Sequence, residues 1–194
     1  TLLSLMNFTS THDITRIINI FATDEFQIDG KWAWDLNIDD YNFQKNYVLT
    51  ENQYQKGRDI YLSYMYTLAF FPGILSIFYG DEIGMQGMGN LANRRPYPWT
   101  KQDTYLLEQF QKIGKIRNQE KFLETADLKI IDINQNYFAF ERTNNFNQML
   151  IYASRTNNPV SIVPPDNYTV IDCLKNSNQN HLDSYGGLVM KRNK

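Results

Sequence analysis

A chain of 194 residues with 42% apolar and 21% charged residues has the make-up of an ordinary globular protein, long enough to bury one substantial core in one or two domains. The formal net charge of −2 is spread without long runs of one sign, which excludes the footprint of a nucleic-acid-binding protein. The most apolar stretch, 67–79, is broken by Pro72 and Gly73 and is shorter than the roughly 18 residues a membrane span needs, so no membrane partner is expected.

In chain order, the start carries no initiator Met, no basic segment and no small-residue cleavage site, and reads as a cut through something larger. Leu2 to Phe8 is a strand-like apolar run, and a helix is expected from Ile14 onward. Residues 24–47, with Lys31-Trp32-Ala33-Trp34-Asp35 inside them, give no regular pattern. Thr50 followed three positions later by Gln53 has the form of a capping box, and Tyr61, Tyr64, Met65 and Leu68 recur at helical spacing, so a helix of roughly five turns is expected. Pro72-Gly73 ends it. Ile74 to Tyr79 then reads as a short strand buried on both faces and closed by Gly80.

A Gly- and Asn-rich loop, 84–93, leads to a second amphipathic helix within 100–119, with Leu106, Phe110, Ile113 and Arg117 near one face. Beyond Asp127 the texture changes to short runs, 128–133, 137–142, 149–154, 160–163, 168–174 and 188–191, punctuated by Asn, Asp, Pro and Gly. That is the pattern of a small antiparallel β-domain. The single Cys173 lies in one of these runs and reads as a buried small hydrophobe; the lone cysteine leans toward a cytoplasmic location, with a secreted one left open. Aromatic residues make up 14% of the chain, which suits stacking on sugar rings, but composition alone favours the plainer reading of a Tyr-rich core and surface.

In a βα barrel the active site gathers at the C-terminal ends of the strands, so polar residues that directly follow apolar runs draw attention. Two such places occur, Thr9 to Arg16 and Gly80 to Met85. Each has a plainer explanation. Asp13 before a helix could be its N-cap, Asp81-Glu82 a turn, and Arg94-Arg95 a solvated basic pair.

The order and spacing shift that balance. Thr11-His12-Asp13-Ile14-Thr15-Arg16, then Pro72 to Met85 with Tyr79-Gly80-Asp81-Glu82 inside it, then Asn93-Arg94-Arg95-Pro96-Tyr97-Pro98-Trp99 together resemble the closing portion of glycoside hydrolase family 13, the α-amylase family, in the manner of its neopullulanase, cyclomaltodextrinase and α-glucosidase members. The resemblance implies an α/β plus β fold: the last two βα units of a (β/α)8 TIM barrel over residues 1–122, then a small antiparallel β-sandwich domain over 123–194. It implies a retaining α-glucan hydrolase acting on α-1,4-glucosidic bonds, in which two carboxylates break the bond and a third assists.

On that resemblance Asp13 is the third carboxylate, a transition-state stabiliser that holds sugar hydroxyls at the cleavage point. His12 would donate a hydrogen bond to the same sugar. Arg94 would line subsites on the non-reducing side, although the family pattern Asp-Pro-x-x-Arg appears here as Asn90-Leu91-Ala92-Asn93-Arg94, without the acidic partner. Asp81 and Glu82 resemble a structural turn. The nucleophile and the general acid lie upstream in the family, and no Arg-x-Asp occurs in this chain. A complete barrel takes about 250 residues, so the chain is expected to be the C-terminal part of a longer enzyme and inactive alone.

The expected partners are an α-glucan or maltooligosaccharide and the N-terminal part of the barrel. No cofactor is expected in this chain, and calcium only in the missing part. A homodimer is expected from the unpaired strand edge that two isolated βα units would leave. The competing expectation is a non-catalytic carbohydrate-binding or scaffolding chain of the same fold.

Overall fold

A computed structural model describes residues 2–23, 27–28, 31–32, 41–89 and 92–193. In chain order they form a 3-10 turn Leu2–Ser4, strand β1 (Met6–Phe8), helix α1 (Ile17–Ala22), strands β2 (Gln27–Ile28) and β3 (Lys31–Trp32), helices α2 (Tyr41–Asn46) and α3 (Glu51–Phe70), and strand β4 (Ile74–Ser76). A 3-10 turn Asp81–Ile83, helix α4 (Thr104–Gln119) and a 3-10 turn Lys121–Glu124 follow. Seven strands complete the chain: β5 (Asp127–Ile133), β6 (Tyr137–Thr143), β7 (Asn147–Ser154), β8 (Val160–Ser161), β9 (Thr169–Leu174), β10 (His181–Leu182) and β11 (Gly187–Asn193).

Contacts between Cα atoms divide the chain into two units. One comprises Thr1–Asn7, Leu62–Leu75 and Phe110–Lys194, the other Phe8–Tyr61 and Ser76–Gln109.

In the first unit β5-β6-β7-β11-β9 form a five-stranded antiparallel sheet, and β8 pairs with β10 in a separate antiparallel ribbon. Ala139, Leu150, Tyr152, Leu188 and Met190 from the sheet pack with Ile162 and Leu182 from the ribbon side, which gives the β-domain its own core. Cys173 is half-buried against that cluster rather than fully inside it.

The same unit buries Arg142, whose Nη1 donates to the Phe70 carbonyl at 2.7 Å while Nη2 donates to those of Leu123 and Ala126 at 2.7 and 2.9 Å. Burial pulls its guanidinium down to about 10. Three carbonyls that lie out of water depend on this one cation, and a buried acceptor left unmatched costs more than an exposed one. Arg142→Ala is therefore expected to lower the unfolding free energy by about 3 kcal/mol or more, read from urea denaturation of the 194-residue chain. Arg142→Lys should lose a smaller part, because a single ammonium cannot span the fork.

The capping box expected at Thr50 is present. The Gln53 amide donates to Thr50 Oγ1 at 3.3 Å and the Thr50 amide donates to Gln53 Oε1 at 2.9 Å, and α3 runs five and more turns from there to Phe70. The second helix begins at Thr104 and buries Leu106, Phe110 and Ile113 on one face.

Two strand expectations need correction. Leu2–Ser4 is a 3-10 turn, so β1 is only three residues long. The strand expected over 74–79 stops at Ser76 and is not buried on both faces, Ile74 being 64% exposed. Its one strand neighbour among the described residues is β1, where the Ile74 amide donates to the Leu5 carbonyl at 2.8 Å. A strand is covered on both faces only where further elements pack over it.

Within 24–47, β2 and β3 form a short antiparallel pair and α2 follows; Ala33, Trp34 and Asp35 lie outside the described residues. No helix among the described residues is long and apolar enough to cross a membrane.

Candidate active site

The second unit brings the three expected site residues together. Asp13 Oδ2 lies 3.1 Å from His12 Nε2, and Asp13 Oδ1 accepts a hydrogen bond from Arg94 Nη2 at 3.0 Å. All three side chains are half exposed, Asp13 at 61% and Arg94 at 51%, so they face the surface while bonded to one another. The acidic partner that Arg94 lacks in its own loop is thus Asp13, from a loop 81 residues away in sequence.

Asp13 is not a helix cap. The N-cap of α1 is Arg16, whose side chain makes no capping bond, and the hydroxyl that serves the helix start is Ser10 Oγ, accepting from the Ile17 amide at 2.9 Å. Asp13 stands in the preceding turn, where its amide donates to Thr11 Oγ1 at 3.2 Å. A carboxylate that is exposed and spared from capping is available for chemistry.

Beneath the exposed trio lies a buried ion pair. Arg16 is fully buried and Asp81 nearly so; Arg16 Nη1 donates to Asp81 Oδ1 at 2.8 Å and to the Tyr79 carbonyl at 2.7 Å, and Nη2 to the Asn93 carbonyl at 3.2 Å. Thr9 Oγ1 donates to the other Asp81 oxygen at 2.7 Å. The guanidinium also sits over the Phe78 and Tyr79 rings at 4.6 and 4.9 Å. Burial pushes the Asp81 carboxyl above the usual carboxylate range, while the bonds from Thr9, Ser10 and Arg16 pull it back. One cation thereby ties together the loops 9–16, 78–81 and 93–94.

Glycine places Asp81 in that network. Gly80 and Gly84 flank the turn Asp81–Ile83 with φ of 87° and 71°, and a Cβ on Gly84 would lie 1.9 Å from the Tyr54 hydroxyl. That hydroxyl donates to Asp103 Oδ2 at 2.9 Å. The loop after the turn is stapled to the residues around α1: the Arg16 amide donates to the Gly87 carbonyl and the Gly87 amide to Asn19 Oδ1, both at 2.9 Å. Glu82, the other acid of this turn, accepts from the Tyr97 hydroxyl at 3.0 Å.

Sequence reasoning missed Ser10 and Asn93. Ser10 stands in the Thr9–Arg16 segment and Asn93 opens the Asn93–Trp99 motif, but nothing in the sequence marked what either side chain holds. No group of three or more His, Cys, Asp and Glu among the described residues is arranged to hold a metal ion.

No family model matches the chain. The amylopullulanase of Thermoanaerobacter thermohydrosulfuricus is 33% identical over 144 residues, which cover 72% of this chain and 8% of that protein. The cyclomaltodextrinase of Geobacillus thermopakistaniensis is 29% identical over 112 residues, covering 56% of this chain and 19% of that protein. The chain therefore spans a small part of the length of the relatives it matches. Among solved structures, an Anoxybacillus α-amylase superposes with a TM-score of 0.66 over 97% of this chain and 38% of that one, at 17% identity, which shows a shared fold. With its three ordered motifs and these relatives, the chain belongs to glycoside hydrolase family 13, the α-amylase family, and matches the C-terminal portion of that family.

Proposed function

We propose that this chain supplies the C-terminal part of a retaining α-glucan hydrolase acting on α-1,4-glucosidic bonds, with Asp13 as the carboxylate that stabilises the transition state. The observation that carries the reading is the meeting of His12, Asp13 and Arg94 within about hydrogen-bonding distance on loops fixed by the buried Arg16–Asp81 pair. In this reading residues 1–122 complete a (β/α)8 barrel as its last two βα units, and residues 123–194 form the β-domain that follows in sequence.

As the ring flattens toward an oxocarbenium ion, positive charge grows at the anomeric carbon and the sugar hydroxyls become better donors. A carboxylate that accepts from those hydroxyls stabilises the transition state more than the bound substrate. Asp13 has the charge and exposure for that role. Arg94, bonded to Asp13 in the free protein, would turn to sugar hydroxyls when a glucan enters, and His12 would donate to the same ring.

The bond-breaking pair is assigned to the barrel part that precedes these residues in the family. The 194-residue chain alone is therefore expected to leave maltotriose and β-cyclodextrin intact. Sugar release above a blank, measured by chromatography of the products, would contradict that assignment.

A further inference from the structure

Asn93 is wholly buried, and its side-chain amide is committed to one task. Nδ2 donates to the Thr11 carbonyl at 2.6 Å and to the Ile14 carbonyl, the two ends of the turn that carries His12 and Asp13. The next residue grips the same turn from its exposed side: Arg94 Nε donates to the His12 carbonyl at 3.4 Å and Nη2 to the Asp13 carboxylate. Asn93's own carbonyl is held by Arg16 at 3.2 Å, and a Cβ on Gly87 would lie 2.8 Å from Asn93 Oδ1, so nothing bulkier than glycine fits beside the amide.

We propose that Asn93 is a positioning residue for Asp13, fixing the Thr11–Ile14 turn from below while Arg94 meets its carboxylate from above. The proposal rests on the reading of Asp13 as the transition-state group. The chemistry required is specific: two carbonyls must be met by a donor that is neutral and short enough to stay buried. Asp has the same shape and fails, because its carboxylate would set lone pairs against both carbonyls. Ser keeps one donor.

The test compares wild type, Asn93→Asp and Asn93→Ser in the protein with its complete barrel, hydrolysing maltotriose, with Arg142→Lys as a variant that loosens the bonds to Phe70, Leu123 and Ala126 and touches no residue of the Thr11–Ile14 turn. Because a shift of the turn by about 1 Å is felt in the rate rather than in ground-state binding, Asn93→Asp is expected to lower kcat about 10- to 100-fold while KM moves less than about threefold. Asn93→Ser should recover part of the loss, and Arg142→Lys should keep kcat within about twofold despite its lower melting temperature. A kcat for Asn93→Asp within about twofold of wild type, or a loss that merely follows melting temperature across the set, overturns the proposal. In the 194-residue chain, where turnover plays no part, Asn93→Ser is expected to shift the amide resonances of His12, Asp13 and Ile14 and to speed their hydrogen exchange. Unchanged resonances overturn it as well. Full turnover in Asp13→Ala would strike the role of Asp13 alone, since the amide resonances report the grip of Asn93 independently.

Discussion

Asp13→Ala, made in the protein with its complete barrel, is expected to lower kcat for maltotriose by about two to three orders of magnitude, with KM changed by a few-fold at most. The size follows from the several kcal/mol that hydrogen bonds to the 2-hydroxyl contribute as the oxocarbenium-like state forms, each 1.4 kcal/mol or so being a factor of ten in rate. The asymmetry follows from timing. Interactions that strengthen only in the transition state show in kcat, whereas an exposed carboxylate contributes little to holding a neutral ground-state sugar. The variant leaves Arg94 without its 3.0 Å partner, but both groups are exposed, so the fold should hold and the melting temperature should stay near that of wild type. A rise in KM with kcat preserved would instead make Asp13 a binding residue.

The second large effect is on stability. Arg16→Met in the 194-residue chain should lower the unfolding free energy by about 3–5 kcal/mol at neutral pH, because Asp81 is left as a buried carboxylate without its countercharge. Burial already holds Asp81 above the usual carboxylate range, and loss of Arg16 removes one of the influences that lower it. A raised acid is penalised where it is ionised in the folded state, and the penalty disappears once it is protonated. The defect of Arg16→Met should therefore be largest at neutral pH and shrink as the pH falls through the raised Asp81 value toward about 4. Urea midpoints measured across that range check it. A defect that stays constant with pH would mean that lost packing over the Phe78 and Tyr79 rings, rather than the bared charge, sets the cost. Replacing both partners, Arg16→Met with Asp81→Leu, should recover much of the stability, as apolar pairs of similar volume often do.

The parts of this architecture that were legible in the sequence are those whose cause is local. The Thr50–Gln53 box is a contact between neighbours, and the β5, β6, β7 and β9 runs are apolar stretches set off by their own turn residues, so their positions could be read within a residue or two. β10 was not legible: two residues, His181 and Leu182, are too few for any period, and they pair only because Val160 and Ser161 come alongside. Ile74 to Tyr79 looked like a fully buried strand because its residues are apolar, yet burial depends on what packs over a strand and not on the strand alone.

The candidate site divides in the same way. His12, Asp13 and Arg94 were named from ordered motifs, but the bond between Asp13 and Arg94 joins loops 81 residues apart and could not be read from either loop. Local sequence made Asp13 a reasonable helix cap, and only the backbone path, with Arg16 at the N-cap and Ser10 supplying the hydroxyl, removes that role. Asn93 stood in the third motif, but its role could not be read there for a related reason. Its two acceptors are backbone carbonyls, which carry no sequence signature.

The central claim is that Asp13 recognises developing positive charge. It is tested most directly by comparing a cationic sugar mimic with a neutral substrate, using Asp13→Asn, which keeps the shape and removes the charge. In the protein with its complete barrel, the inhibition constant of 1-deoxynojirimycin should rise about 100-fold in Asp13→Asn while KM for maltotriose changes less than about threefold. Equal weakening of both, or an inhibition constant unchanged by the substitution, would contradict it.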